Sequence, residues 1–533
     1  MSAAPSIPIS KRTVVVNSAS FVLARVLNLS ILVWLYQYLI ARIPAQEFAI
    51  YPVVAAVMVF APLFFSTFTG GILRHVVDAY ARGDGEGVRR VVSSIVPAIL
   101  AMTGVFLAAG FAFALGIDHV LNIPPALTGE AQLMMGLLVL VFAFQMVVLP
   151  FATGFHVRQR YVELNLLLLG RELVRLGVLL TLLTLYGAAV LWIVVATVVA
   201  ETLYGVFSVW RSRRLVPELA FSPRLFDRAQ MRELVSFGAW TTIGQLGIIM
   251  YTHAATIVLN LFGTDVDVLV YFVAATLFRQ LEVMIFTAIA PLQTVLTAMQ
   301  ATGSIERIAN TMQRGARFAL WLSLAVAVPM IVFAADFVRL YMGPDYTSQS
   351  LVFVLLMLIF PFNQATILLP MTCVALARVR EFFLPAFLFQ AAGLAIMLVT
   401  AGVFDMGAVG VTLGLCLITV ASQFFYYWRL SIVVSQTSLR WFVRRILVPG
   451  WLPALAALPV WIVCGAVMPT QTWLQLGLAG AGGGVVYVAV LLAFGLERDE
   501  KAILAAALGR LRDRLLPGAR GGARAALAGE PSA

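Results

Sequence analysis

Seven charged side chains lie deep within apolar runs long enough to cross a bilayer: Arg25, Arg171, Glu172, Arg175, Glu201, Arg279 and Glu282. A charge at the centre of a membrane helix costs about 2.5–3.5 kcal/mol on insertion scales, so each needs a compensating reason. A guanidinium offers a planar fork of donors that matches carboxylate or phosphate oxygens. A carboxylate in such surroundings carries a proton or cation, or acts as the fixed counter-ion of a neighbouring arginine.

Position along each run narrows the choices. Arg25 lies about eleven residues into its run, roughly 16 Å along a helix axis, which is near the midplane. Arg279 lies about twelve residues into its own run, at a similar depth. Glu282 stands at i+3 from Arg279 and would neutralise it if the two pair. Arg171 and Arg175, at i and i+4, share a face; their charge is available to a ligand or to Glu163 or Glu201. Glu201 sits halfway through its run with no neighbour of opposite sign in sequence. It is either a coupling-ion carrier or the counter-ion of the Arg171 helix, and Glu172 and Glu282 are candidates for the same carrier role. His253 reads as a hydrogen-bonded packing residue. Arg74 follows Gly70-Gly71 and is either an interfacial anchor or a gate. No G-x-x-x-x-G-K-[ST] loop, nucleophile elbow or metal-ligand spacing occurs. Cys373, Cys416 and Cys464 lie in apolar runs at no ligand spacing. The expectation is a protein that is not an enzyme and uses no cofactor.

Those side chains need membrane helices to position them. The chain of 533 residues is 62% hydrophobic and 11% charged, with a mean hydropathy of +0.97. Soluble domains carry about 25% charged residues, so a water-exposed surface cannot be built from this composition. The net charge of +11 is spread in short clusters between apolar runs, which is a topology signal and not a nucleic-acid one. Runs of about 20 residues number fourteen: 14–41, 48–68, 88–114, 130–152, 163–186, 188–210, 235–262, 268–299, 315–335, 348–370, 383–402, 407–428, 448–468 and 473–495. With the N-terminus in the cytoplasm, thirty of the 36 Lys and Arg residues fall on inside segments and only Arg42 and Arg339 on outside loops. A missed helix would invert every later loop and erase that asymmetry. Both termini are therefore expected in the cytoplasm. The first run is too long for a cleavable signal and lacks a small-residue cleavage site. The prolines Pro62, Pro150, Pro291, Pro329, Pro361 and Pro370 fall in or at the ends of spans and mark possible kinks.

Between spans six and seven, residues 211–234 carry Arg224, Arg228 and Arg232 at i, i+4 and i+8 beside Phe221, Leu225 and Phe226. This predicts a short interfacial helix snorkelling its arginines toward lipid phosphates. Arg510, Arg512 and Arg514 repeat the pattern in the tail. The run Phe424-Phe425-Tyr426-Tyr427-Trp428 reads as an aromatic-belt anchor. Glu47 and Tyr51 open the second span as Asp267 and Tyr271 open the eighth, an offset of 220 that also aligns Val53 with Val273 and Ala55 with Ala275. An offset of six helices implies two bundles of like orientation related by an axis along the membrane normal. The expected organisation is a lobe over 1–210, a linker over 211–234, a second lobe over 235–430, two added helices over 448–495 and a tail over 496–533.

The 6+6+2 arrangement, the acid-x3-Tyr entry to span two, Arg74 after the glycine pair, and Arg232-Glu-Leu-Val-Ser-Phe-Gly before span seven resemble the polysaccharide transporter family. These are the O-antigen flippase-like members of the multidrug/oligosaccharidyl-lipid/polysaccharide exporter superfamily. The resemblance covers about residues 10–495. It implies a flippase of the bacterial inner membrane that moves a polyprenyl-diphosphate-linked oligosaccharide to the periplasmic leaflet, for O-antigen, capsule or exopolysaccharide synthesis. It also implies that spans one and eight face each other across the cleft, so that Arg25 and Arg279 would clamp the diphosphate, with a proton or sodium gradient resetting the cycle and polymerase machinery as a partner. A multidrug/cation antiporter, a peptidoglycan lipid precursor flippase and a non-transporting synthase subunit remain the alternatives.

Overall fold

The computed structural model describes residues 34–58, 82–158, 160–232, 253–289, 305–376, 378–497 and 500–501, with single positions between 72 and 80 and at 292 and 296. These are helices and the turns between them, with no strand among the described residues. In lipid, helices satisfy their backbone groups within one segment, as this composition requires. The main helices are α1 (Ala45–Met58), α2 (Gly85–Leu115), α3 (Thr128–Val148), α4 (Tyr161–Tyr186) and α5 (Leu191–Leu215). They continue with α6 (Asp265–Ile289), α7 (Ile305–Val332), α8 (Ser350–Met357), α9 (Val379–Gly402), α10 (Gly407–Ser422), α11 (Val448–Val467) and α12 (Trp473–Val490). Among the described residues ten helices are long and apolar enough to cross a membrane. α4, with 26 residues, stands apart because Glu163, Arg171, Glu172 and Arg175 make it more polar. Most of spans one and seven, the second half of span two, and the tail stripe Arg510, Arg512 and Arg514 lie outside the described residues. The total of fourteen therefore stays an expectation.

Hydrogen bonds sort the connections into two ends. At one end, the Glu47 carboxylate accepts the N–H of Val190 at 2.9 Å and the Glu130 carboxylate accepts that of Leu191 at 3.1 Å. Asp267 accepts the N–H of Ala408 at 2.9 Å, and Arg339 donates to the Thr470 carbonyl at 2.9 Å. At the other end, Arg158 donates to the Leu215 carbonyl, Arg211 pairs with Glu163, and Arg378 pairs with Glu381. The first end holds Arg42 and Arg339; the second is rich in arginine. This is the partition that the charge asymmetry of the sequence requires.

Glu47 and Asp267 do equivalent work. Each sits in the first turn of its helix, α1 or α6, and each accepts a backbone N–H at the start of another, α5 or α10. α1 and α6 pack on each other, joining the two helix sets. α11 and α12 pair together and lie on α7 through a separate apolar cluster that includes Leu320, Trp461 and Tyr487. Tyr487 donates its hydroxyl to the Trp321 carbonyl at 2.7 Å, and Trp321 donates its indole N–H to the Pro449 carbonyl at 2.9 Å. A Cβ on Gly483 would lie 2.3 Å from Trp461 Cδ1, so that glycine sets how closely α12 approaches α11.

Several boundaries differ from the sequence reading for physical reasons. The tenth span, 348–370, breaks after α8 into short pieces at Phe360–Asn363, Gln364–Thr366 and Leu369–Ala375. Pro361 and Pro370 sit in first turns of those pieces, where a missing N–H is harmless, and cannot continue a helix through. Gln423 in the wide turn Gln423–Tyr427 ties this break down, donating to Asn363 Oδ1 at 2.9 Å and accepting from Thr366 Oγ1 at 2.7 Å. The ninth span begins at Ile305, ten residues early, because its polar Gln313 and Arg317 turn into the protein. The interfacial helix over 211–234 is corrected. α5 runs on to Leu215, and the chain then crosses α2, where the N–H groups of Ser222 and Asp227 donate to Ser93 Oγ at 2.9 Å and Ser94 Oγ at 3.0 Å. Asp227 next accepts from the N–H of Ala229 and Gln230, starting a new helix. Arg224 precedes that start, so the i, i+4, i+8 arginine stripe does not form. The aromatic run also divides: Phe425 is exposed while Tyr427 and Trp428 are buried.

Candidate functional site

The charged residues of α4 and α5 form one ion-paired ladder. Arg171 donates to Glu172 Oε1 at 2.7 Å and forms an ion pair with Glu201 Oε1 at 3.0 Å. Arg175 lies 2.5 Å from Glu172 Oε2. The Arg171 guanidinium also stands 5.5 Å from the Tyr204 ring centroid. Arg171 thus ties α4 to α5 through its ion pair with Glu201. Glu163, the other acid considered for this ladder, pairs with Arg211 instead.

Arg175 lies about one turn further along α4, toward the arginine-poor end. There it comes within electrostatic reach of Tyr36 and Tyr51. Arg279, on α6 of the other helix set, is within reach of the same Tyr36, of Tyr271 and of Glu282. His253 also stands near Arg279. Two guanidiniums from opposite helix sets are therefore both within electrostatic reach of one phenol. Among the described residues this is where the sequence-marked charges of the two sets come together.

Four rings cover the meeting point on its arginine-poor side. Tyr36 stands edge-on to Phe272 at 5.3 Å and to Phe48 at 6.3 Å between centroids. Tyr51 meets Phe272 edge-on at 5.9 Å. Beyond them Asn122 and Asn260 exchange two hydrogen bonds of 3.0 Å, and Gln37 Nε2 donates to the Leu340 carbonyl at 3.1 Å. Each of these bonds links the two helix sets.

Of the sequence-marked residues, Arg171, Glu172, Arg175 and Glu201 form one group, and Arg279 and Glu282 a second that Tyr36 joins to the first. Arg25 and Arg74 lie outside the described residues. The rings of Tyr36, Phe48 and Phe272 were not singled out from sequence, because aromatic residues in apolar runs carry no type-level signal. Asn260 offered one: an amide inside a membrane segment has to find a partner.

Residues 14–297 match the family described as Polysaccharide biosynthesis protein. The uncharacterized membrane protein EpsK of Bacillus subtilis (strain 168) is 20% identical over 341 residues, which cover 62% of this chain and 66% of that protein, just under two thirds of its length. Among solved structures, the lipid II flippase MurJ in its inward closed conformation matches with a TM-score of 0.69 at 13% identity, covering 90% of this chain and 99% of that one. An inward-facing multidrug resistance MATE family transporter of the MOP superfamily matches with a TM-score of 0.63 at 14% identity, covering 77% and 98%. Such identities speak for the fold alone. The family match spans more than half of the sequence, and the chain belongs to the polysaccharide biosynthesis protein family, as a multi-pass membrane protein built on the fold that MurJ and the MATE transporters share.

Proposed function

We propose that this protein is a flippase of the bacterial inner membrane that carries a polyprenyl-diphosphate-linked oligosaccharide from the cytoplasmic to the periplasmic leaflet, for surface polysaccharide synthesis. The supporting observation is the set of guanidiniums held within membrane helices of both sets, Arg171 and Arg175 in the α4–α5 ion-paired ladder and Arg279 on α6. A glycan diphosphate cannot cross about 30 Å of hydrocarbon unaided. Paired guanidiniums present forked donors to its oxygens while the prenyl tail stays in lipid. Arg25, at its expected midplane depth, adds a further cation. Glu172, Glu201 and Glu282 keep the empty site from holding uncompensated charge, and a proton or sodium ion on Glu201 or Glu282 resets the cycle. In this reading the arginine-rich end and both termini are cytoplasmic, Arg74 lies at the cytoplasmic entrance, and residues 1–210 and 235–430 are the two lobes that rock about the site.

Arg175→Ala and Arg279→Ala are each expected to lower polysaccharide export about 10- to 100-fold, the worth of a charged hydrogen bond, with unchanged amounts of protein in the membrane fraction. Wild-type export from both variants would overturn the assignment. One observation favours a second reading, an antiporter of organic cations: within the described spans Arg171, Arg175 and Arg279 are balanced by Glu172, Glu201 and Glu282. A deletion strain with normal surface glycan and raised drug sensitivity would select that reading. Lysis with normal glycan would select the peptidoglycan precursor instead.

A further inference from the structure

Over its second half, α5 turns one face to the outside of the molecule. Leu203, Val206, Phe207, Trp210, Arg213 and Arg214 are all exposed and fall at i, i+3, i+4, i+7, i+10 and i+11, which makes one helical stripe. The buried Gly205, Ser208 and Ser212 lie on the opposite side, where α5 packs on α3 and α4. From Leu203 to Arg214 the stripe runs about 16 Å, the depth of one leaflet's hydrocarbon. Over that distance it passes from aliphatic to aromatic to cationic. Phe207 and Trp210 stand 5.1 Å apart between centroids, and the Arg214 guanidinium lies over the Trp210 ring at 4.1 Å. Among the described residues no carboxylate pairs with Arg213 or Arg214, whereas Arg211 pairs with Glu163. Arg158 already donates to the Leu215 carbonyl at the end of the helix, and Glu218, the next acid along the chain, lies against Gly85.

We infer that this face is a binding site for an anionic phospholipid of the leaflet at the arginine-rich end. The lipid phosphate meets Arg213 and Arg214, whose forked donors match its oxygens. The ester region lies at Trp210, since an indole suits the boundary between hydrocarbon and headgroups. An acyl chain follows Phe207, Val206 and Leu203 toward the bilayer centre. Stacking on Trp210 holds the Arg214 guanidinium at the helix surface before the lipid arrives, so less side-chain freedom is lost on binding. Selectivity follows from charge. A zwitterionic headgroup brings its own cation to a place that has two guanidiniums and no paired acid, whereas a headgroup of net negative charge does not. The prenyl diphosphate of the flippase reading fits this face less well. Its headgroup has to enter between the helix sets, and the stripe lies on the side of α5 turned away from α3, α4 and the Arg171–Glu201 pair.

The test places a bimane fluorophore on Leu203→Cys, in full-length protein whose native cysteines are replaced by serine. The protein is reconstituted in phosphatidylcholine vesicles that hold graded amounts of a chain-nitroxide phosphatidylglycerol or a chain-nitroxide phosphatidylcholine. Half-maximal quenching is expected at an about five- to 25-fold lower mole fraction of the phosphatidylglycerol probe, one interfacial arginine being worth about fivefold. Arg213→Gln with Arg214→Gln is expected to bring the two probes together. Arg213→Lys with Arg214→Lys keeps both charges and is expected to preserve the difference. Equal quenching by the two probes with both arginines present, or a difference that survives the glutamine pair, would overturn the site. Loss of the difference in the lysine pair as well would place the effect in the folding of the helix end and overturn it too. Quenching by a nitroxide-labelled prenyl diphosphate with no response to the phosphatidylglycerol probe would give the stripe to the transported lipid, again against the proposal.

Discussion

Arg317 is 2% exposed, and two acids from beyond the last helix compensate its charge: Glu497 at 2.8 Å and Glu500 at 2.5 Å. Removing one member of such a buried set leaves the others unpaired, at a cost of about 3–5 kcal/mol. Arg317→Met is expected to lose that much in unfolding measurements in detergent, and Glu500→Gln in the same chain to recover part of it; additive losses would contradict the pairing. Burial alone pushes the Glu497 carboxyl up, but Arg317, Arg445 and Gln313 outweigh it and hold the group below its ordinary value of 4.5. A carboxylate lowered on folding contributes stability that is complete above its unfolded value and lost as pH falls through the folded one. Hydrogen exchange over residues 497–501, corrected for intrinsic rates, is therefore expected to stay constant from neutral pH down to about 4.5 and to rise below it. A rise already between pH 7 and 6 would refute this. The sequence exposed the charges of α4, α5 and α6 because each interrupts an apolar run. It did not expose Arg317, which falls at a hydropathy boundary and finds its partners 180 and 183 residues later. The one available sign was a cluster of acids, Glu497, Asp499 and Glu500, just past the last span in an arginine-rich region.

The helices themselves were readable wherever apolar residues run unbroken. The expected 163–186 and 448–468 became Tyr161–Tyr186 and Val448–Val467. Reading failed where local chemistry overrides hydropathy: at Pro361 and Pro370, which divide the tenth span, and at residues 216–227, where the N–H groups of Ser222 and Asp227 go to Ser93 and Ser94 instead of to a helix. Adjacent glycines of α12 separate packing from propensity. A Cβ on Gly483 would overlap Trp461, whereas one on Gly484 would meet nothing within 4 Å. Gly483→Ala is expected to destabilise the α11–α12 pair by about 1–3 kcal/mol, while Gly484→Ala stabilises it by up to about 1 kcal/mol through helix propensity. Equal melting shifts for the two variants would show that the seam is not set by this contact.

Between the two helix sets, the bonds at the arginine-poor end are few and specific, and motion of one set against the other has to break them. A cross-link between Asn122→Cys and Asn260→Cys is expected to stop export and a reductant to restore it; export that continues with the link formed would rule out separation at this seam. The acids after α12 have a different bearing on the whole chain. Because Glu497 and Glu500 compensate the buried Arg317 of α7, a truncation at Leu496 would abolish export by spoiling assembly, with the transport route untouched. A purification handle or fluorescent reporter placed directly after Leu496 would do the same damage, whereas one placed beyond Lys501 would not. Deletion phenotypes at this terminus therefore have to be separated from defects in biogenesis before they are assigned to translocation.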